Sequence, residues 1–204
     1  RFEGEAAVMF PYLARERRLT KIGIVHDVNP YGQLFLERLR ALAASGGYTV
    51  VGNVPVDSRE PGDLTAGLKR LVDAGAQAVV MALYPAQGKK VVEAKGALGW
   101  TGTLVSAGPL TDEQLLTVPG NHAEGTLGFC YYPDPDVSNE PGVAAYRAAM
   151  AKYHAGKPRN RYSLYGYTFG RLILEGLRRA GRDLTRERLV DALESIRAWD
   201  AGGV

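Results

Sequence analysis

The chain has 204 residues, of which 46% are hydrophobic and 23% charged, with a formal net charge of +3. This length and apolar content allow a domain with a substantial core and exclude a disordered chain, and no stretch reaches the roughly 20 apolar residues of a membrane span. The basic residues are interspersed with acids and lack a recognition motif, so we expect no nucleic-acid partner.

Apolar periodicity predicts alternating helices and strands over the first half of the chain. Gly46 and Gly47 are expected to stop the second helix, and Asp63 to cap the third. In chain order, the predicted elements are a helix over 5–17, a strand over 21–25, a helix over 31–44, a strand over 48–51, a loop over 57–63, a helix over 64–74, a strand over 78–83, a helix over 86–98 and a strand over 103–106.

The second half is predicted to contain one more strand and three helices. The strand is expected over 124–132, where Cys130 reads as a buried structural residue. As the one cysteine, it excludes an internal disulfide and a thiolate zinc site. The helices are expected over 141–153, 163–180 and 185–198, the last starting at Thr185.

The predicted strands are unbroken apolar runs separated by helices. This pattern is typical of parallel strands that are covered on both faces. We therefore predict an α/β fold, with a three-layer arrangement of a parallel sheet between two helical layers.

Ligands of open parallel sheets bind outside the carboxyl ends of the strands. This rule selects the segments that follow the predicted strands. They are His26-Asp-Val-Asn-Pro-Tyr-Gly32, Leu83-Tyr-Pro85, Ser106-Ala-Gly-Pro-Leu110 and Tyr132-Pro-Asp-Pro135.

The side chains in these segments allow a functional and a structural interpretation. Tyrosine offers a flat apolar face and a hydroxyl, which suits a small-molecule cleft. We favour that role for Tyr84. Tyr31 could equally well line a cleft or pack over the start of the following helix. Asp27 could bind a polar ligand group, although such a residue more often caps the following helix or fixes a turn. His26 is interpreted as a structural residue.

No catalytic pattern is found. The GxSxG, HExxH, GxxxxGK[ST] and GxGxxG patterns are absent, and His122 and His154 lack metal-ligand spacing. Tyr131 and Tyr132 are interpreted as residues of a cleft wall or of the core. We therefore predict a protein that is not an enzyme on its own and has no cofactor and no metal.

An ordered set of segments carries a family resemblance. They are Lys21-Ile-Gly-Ile-Val-His-Asp-Val-Asn-Pro-Tyr-Gly32, the helix over 63–71, Ala74-Gly-Ala-Gln-Ala-Val-Val80, Ala123-Glu-Gly-Thr126, Tyr165-Gly-Tyr167 leading into 172–181, and 183–194. Together they resemble the second lobe of type I periplasmic binding proteins, in the branched-chain amino-acid branch. Gln77 stands where that family usually has Asp.

The resemblance implies two lobes that close over a small solute. Residues 1–204 would form a single α/β lobe, the second, with the first lobe and a signal peptide absent from this chain. Asp27, Tyr31, Tyr84 and the loop Gly108-Pro109-Leu110 would face the cleft. The acid that amino-acid binders place near that loop is missing from 106–110, and Asp112 is expected to begin the next helix.

The resemblance therefore implies an extracytoplasmic solute-binding component of an ABC importer, either soluble or lipid-anchored. Its partners would be a small-molecule ligand, the missing first lobe and a membrane permease. The ligand would be a small carboxylate or amino-acid-like metabolite, with aromatic or aliphatic carboxylates favoured over a standard α-amino acid. A ligand-sensing regulator or receptor domain of the same fold is the alternative.

Overall fold

The computed structural model describes residues 2–60, 62–111 and 113–204. Contacts within the chain group into two units, Arg1–Cys130 and Tyr131–Val204. Each unit is described by itself, and the interpretation of residues 1–204 as a single lobe stays a prediction.

The first unit alternates helices and strands as the apolar pattern predicts. Its elements are α1 (Phe2–Arg15), β1 (Lys21–Asp27), α2 (Pro30–Ala41), α3 (Ala43–Gly46), β2 (Thr49–Val56), α4 (Thr65–Asp73), β3 (Ala78–Ala82), α5 (Pro85–Ala97), β4 (Thr103–Ser106) and β5 (Leu127–Gly128), with 3-10 turns at Gly108–Leu110 and Glu113–Thr117.

The five strands form one parallel sheet in the order β2-β1-β3-β4-β5. β1 lies between β2 and β3 and pairs with both along most of its length. The chain therefore moves to one side of β1 to make β2 and then to the other side to make β3. This reversal is the switch point of a doubly wound sheet, where a crevice opens at the carboxyl ends of the strands.

Helices cover both faces of the sheet, which confirms the predicted three-layer fold. Alternate residues of β1 and β3 point to opposite faces. Ile24 and Val80 pack with Phe10 and Phe35 of α1 and α2. On the other face Val25, Val79 and Met81 belong to the core that includes α4 and α5. Burial on both faces explains why these strands read as continuous apolar runs.

β1 runs two residues beyond its predicted end, to Asp27, and β2 and β5 differ further from their predicted extents. β2 runs on to Val56, although Gly52, Asn53 and Pro55 interrupt its apolar run. It lies at the sheet edge, where a strand proline costs no ladder hydrogen bond. The strand predicted over 124–132 is wrong in length, because β5 pairs with β4 over two residues before the ladder ends at the Phe129 N–H.

The second unit is helical over its described residues, with α6 (Pro141–Tyr153), α7 (Arg161–Ala180) and α8 (Arg186–Glu194). The bounds of α6 agree with those predicted. α7 begins in a capping box, in which Asn160 accepts the Ser163 N–H and the Ser163 hydroxyl accepts the Asn160 N–H. The predicted helix start at Thr185 is confirmed, since the Thr185 hydroxyl caps α8 by accepting the Arg188 N–H, but α8 ends at Glu194, short of the predicted end at 198.

The core of the second unit is small. Val143, Tyr146 and Leu164 are fully buried, and the Tyr146 hydroxyl lies 2.7 Å from the Ser163 hydroxyl. None of the helices in 2–60, 62–111 and 113–204 is long and apolar enough to cross a membrane.

Candidate functional site

Two tyrosines meet at the switch point of the first unit. Tyr31 follows β1 in the first turn of α2, and Tyr84 follows β3 at the start of α5. Their ring centroids lie 5.7 Å apart with the planes inclined by 44°. Tyr31 is buried, whereas Tyr84 is 39% exposed. The pair therefore presents one tyrosine face at the edge where a ligand of this fold would lie, with the other tyrosine supporting it.

Tyr31 is in turn held by other rings. Phe2 of α1 packs on it at a centroid distance of 4.8 Å, and Phe35, one helical turn later in α2, at 5.3 Å. Aromatic pairs in tilted and edge-on arrangements contribute stabilisation beyond the apolar area that they bury. The Tyr31 ring is therefore held in place by α1 and α2.

The turn after β1 is closed by side-chain hydrogen bonds. Asp27 is 1% exposed, and its Oδ1 accepts the Asn29 N–H at 2.9 Å. Asn29 is the N-cap of α2, and its Oδ1 accepts the Gly32 N–H at 3.1 Å. Asp27 therefore fixes the turn before α2, while Asn29 caps the helix, and a ligand contact of Asp27 stays a prediction.

The loop after β4 is largely buried. Gly108 and Leu110 are buried, and Leu110 packs on Gly88 in the first turn of α5. Pro109, between them, is half-buried. Of the three loop residues predicted to face the cleft, Pro109 is therefore the one with substantial exposed surface.

A glutamate from the beginning of the chain supports this loop. Glu5 of α1 is 7% exposed, and its Oε1 accepts the Gly108 N–H at 2.6 Å. The loop lacks an acid of its own, and Glu5 brings a carboxylate to it. Asp112, which we expected to begin the next helix, lies outside the described residues.

The far side of the same loop is tied to the edge of the sheet. The Thr111 hydroxyl donates to the Phe129 carbonyl oxygen at 2.8 Å and lies 2.9 Å from the Ser106 hydroxyl. These bonds hold the carboxyl end of β4 against the end of β5.

Two buried acceptor atoms lie at the ends of β1 and β3. Gln87, in the first turn of α5, donates from Nε2 to the Ser58 carbonyl oxygen at 3.3 Å and so reaches across the end of β1. Its Oε1 and the Oδ2 of Asp27 have no hydrogen-bond partner among the described residues. Buried acceptors of this kind favour a hydrogen-bond donor nearby over an apolar group.

His26 is a structural residue, as predicted. It is 1% exposed, its Nδ1 lies 3.0 Å from the Asp27 carbonyl oxygen and its Nε2 lies 3.4 Å from Nδ2 of Asn53. A carbonyl can accept only, so Nδ1 carries the proton. Nε2 then accepts from the Asn53 amide Nδ2, which can only donate, and this makes the ring neutral. Burial is the main cause that lowers the pKa of His26 below its usual value of 6.5.

The other sequence predictions have mixed outcomes. Cys130 is exposed, so the expectation of a buried cysteine is wrong; the sheet pairing ends before it, and its neighbours do not cover it. Tyr132 belongs to the second unit, where it packs on the Tyr165 ring at 4.4 Å, and Tyr131 is 49% exposed. Among the described residues no group of three or more His, Cys, Asp or Glu side chains could hold a metal ion.

Phe2, Glu5 and Gln87 were not predicted as site residues from the sequence. Phe2 and Glu5 precede the first strand, so the strand-end rule does not reach them. Gln87 lies in a helix that was predicted from its apolar positions, and that pattern says nothing about its polar residues. The acidic first turn of α1 was the one available signal for Glu5.

The family model described as periplasmic binding protein matches residues 2–204. The chain belongs to the periplasmic binding protein family. Within it, the relatives confirm the predicted type I, branched-chain amino-acid branch. This periplasmic binding protein chain is 27% identical over 179 residues to Leu/Ile/Val-binding protein homolog 3 of Brucella melitensis biotype 1, which is 87% of this chain and 46% of that protein.

Two solved structures share the fold. A fatty acid ABC transporter substrate-binding protein from Thermomonospora curvata superposes with a TM-score of 0.88 at 20% identity, covering 99% of this chain and 53% of that one. A branched-chain amino acid ABC transporter protein from Thermus thermophilus with bound valine gives a TM-score of 0.82 at 24% identity, covering 98% and 54%. The chain spans about half the length of the curated relatives it matches.

Proposed function

We propose that this chain is part of an extracytoplasmic solute-binding component of an ABC importer, and that its switch-point edge forms one wall of the solute cleft. The observation that carries the proposal is the Tyr31–Tyr84 pair, 5.7 Å apart, at the carboxyl ends of β1 and β3. Family membership supports the solute-binding role.

The mechanism we propose is capture by closure. One wall consists of the Tyr84 ring with Tyr31 behind it and Pro109 beside them, while Asp27, Gly108 and Leu110 fix the loops that carry these residues. A second lobe outside this chain would supply the opposing wall. A solute that contacts both walls only when they are closed shifts the population towards the closed form. The closed form would then engage a membrane permease.

The ligand class we propose is a small carboxylate or amino-acid-like metabolite. One structural neighbour is described as a fatty acid binder and another holds valine, and both of those ligands carry a carboxylate. Tyrosine hydroxyls donate hydrogen bonds to carboxylate oxygens, and the rings cover an aliphatic or aromatic body.

No reaction is assigned to the site. Several of its polar groups hold turns, as Asn29 caps α2 and the neutral His26 ring bonds the Asp27 carbonyl. The two acceptors without a partner among the described residues, Asp27 Oδ2 and Gln87 Oε1, suit a hydrogen-bond donor of a ligand. One structural neighbour is described as an ABC transporter substrate-binding protein, and a curated relative is named as a homolog of a Leu/Ile/Val-binding protein. Binding and release without chemical change is therefore the function we propose.

The test is a thermal-shift screen of the full-length protein, with both lobes, against branched and aromatic amino acids, their des-amino acids and medium-chain fatty acids. A specific solute at a hundredfold excess over its dissociation constant should stabilise the protein by about 3 kcal/mol. Stabilisation by one carboxylate class supports the proposal. Absence of any shift across the screen contradicts it and favours a sensor domain that reads a different ligand.

A further inference from the structure

We propose that Glu5 is a positioning residue of the candidate site, which holds the turn Gly108–Leu110 and so sets where Pro109 lies in the wall. The inference rests on the proposed function, because the wall it concerns is the proposed solute-binding edge. Neither the strand-end rule nor the family resemblance assigns a role to this residue.

The contact is buried and short. Glu5 is 7% exposed, Gly108 is buried, and the Oε1 of Glu5 accepts the Gly108 N–H at 2.6 Å. Hydrogen bonds from N–H groups to ionised carboxylates are shorter and stronger than those between neutral groups. This bond joins residues that are 103 positions apart in the chain.

The turn needs an acceptor at this point. A helical turn begins with N–H groups that have no partner inside the turn, and a side chain at the N-cap usually accepts one of them. Here the N-cap is Ala107, which offers no side-chain hydrogen bond. Glu5 takes the place of that missing cap from a different helix.

The turn keeps two backbone hydrogen bonds of its own, from the Leu110 N–H to the Ala107 carbonyl oxygen and from the Thr111 N–H to the Gly108 carbonyl oxygen. Neither these bonds nor its other anchors hold the Gly108 N–H. Leu110 is buried against Gly88, and Thr111 bonds the Phe129 carbonyl oxygen at 2.8 Å. Pro109 lies between Leu110 and Gly108, and its ring restricts the backbone. Release of Gly108 therefore moves Pro109, the loop residue with exposed surface.

The first turn of α1 also supports the tyrosine wall, since the Phe2 ring packs on Tyr31 at 4.8 Å. The same turn offers a matched control. Glu3 is an acid two residues earlier, but its side chain is 59% exposed and pairs with Arg38 on α2. Loss of Glu3 removes an acid from the same helix end without touching the loop.

The first experiment measures amide hydrogen exchange of Gly108 by NMR in the 204-residue chain. Glu5→Ala should speed exchange at Gly108 at least tenfold, whereas Glu5→Gln, which keeps an acceptor oxygen, should stay within threefold of wild type. Glu3→Ala should leave it unchanged. Glu5→Leu removes the acceptor but keeps a side chain of similar volume. Faster Gly108 exchange in that variant therefore cannot be attributed to a cavity left by the substitution. Unchanged Gly108 protection in both Glu5→Ala and Glu5→Leu would overturn the inference.

The second experiment measures affinity in the full-length protein by calorimetry, with valine and octanoate as probes. Whichever probe binds wild type should bind Glu5→Leu at least tenfold more weakly, and Glu5→Gln and Glu3→Ala within threefold. Equal affinity of Glu5→Leu and wild type would overturn the positioning role. If neither probe binds wild type, the solute is neither valine-like nor a medium-chain fatty acid, and Gly108 exchange alone decides whether Glu5 holds the turn.

Discussion

The backbone of Gly32 lies directly against the backbone of Asp27, so that a Cβ at position 32 would overlap the Asp27 carbonyl oxygen and come within 2.6 Å of its nitrogen. Both residues are buried, one at the end of β1 and the other in the first turn of α2. This close approach turns the chain sharply from strand to helix and brings Tyr31 over the switch point.

Gly32→Ala should therefore destabilise the protein. The obstructing atoms belong to the backbone and cannot rotate away, so we expect a loss of about 1–3 kcal/mol in the free energy of unfolding. Urea unfolding measures it. Gly170→Ala in α7 is the control, because a Cβ there meets nothing within 4 Å. It should be neutral or stabilise by up to about 1 kcal/mol. An equal effect of the two variants would contradict the role of Gly32.

The buried His26 ring predicts a pH dependence of stability. Because burial lowers its folded-state pKa below the usual 6.5, the unfolded state binds the proton first as the pH falls. The contribution of His26 is complete above that value and is lost as the pH falls from about 6.5 through the folded pKa.

Urea unfolding of wild type and His26→Gln between pH 8 and pH 5 measures this contribution. The stability advantage of wild type should shrink towards pH 5, because glutamine does not titrate. His154→Gln removes an exposed histidine and is the control variant. An advantage of wild type that grows as the pH falls would contradict the neutral, buried state of His26.

The capping box at Asn160 predicts a local effect in the second unit. Asn160→Ala removes the acceptor of the Ser163 N–H at the start of α7 and should cost about 0.5–2 kcal/mol. Asn160→Asp keeps the acceptor and should retain most of the stability.

The chain has two tryptophans, Trp100 in the first unit and Trp199 in the second, which makes this prediction measurable. In a Trp100→Phe background, fluorescence of Trp199 reports on the second unit. Equal unfolding midpoints for Asn160→Ala and Asn160→Asp would show that the cap contributes nothing.

Most of the sheet could be predicted from the sequence, and its edges could not. β3 and β4 lie within one residue of their predicted bounds, because strands covered on both faces are apolar throughout. β2 and β5 lie at the edges of the sheet. There pairing with one neighbour decides the extent of a strand, and Gly, Asn and Pro are tolerated.

The candidate site could be predicted to the extent that it follows strand order. Asp27 is the last residue of β1, and Tyr31 and Tyr84 follow β1 and β3 within a few positions, so the strand-end rule finds all three. The Glu5–Gly108 hydrogen bond joins residues 103 positions apart, and no hydrophobic periodicity or local motif in the sequence indicates it. Cys130 was misjudged because its aromatic neighbours resemble a strand, although the ladder stops at Phe129.

The most direct test of the central claim is calorimetric titration of the full-length protein and its Tyr84→Ala variant with the solute found by thermal shift. Tyr12→Ala is the control, since Tyr12 is 37% exposed, close to the 39% of Tyr84, but packs on Phe129. The account predicts that Tyr84→Ala weakens binding at least tenfold, about 1.4 kcal/mol, with little change in thermal stability, and that Tyr12→Ala binds like wild type. Wild-type affinity in Tyr84→Ala would contradict the claim that the switch-point edge is a wall of the solute site.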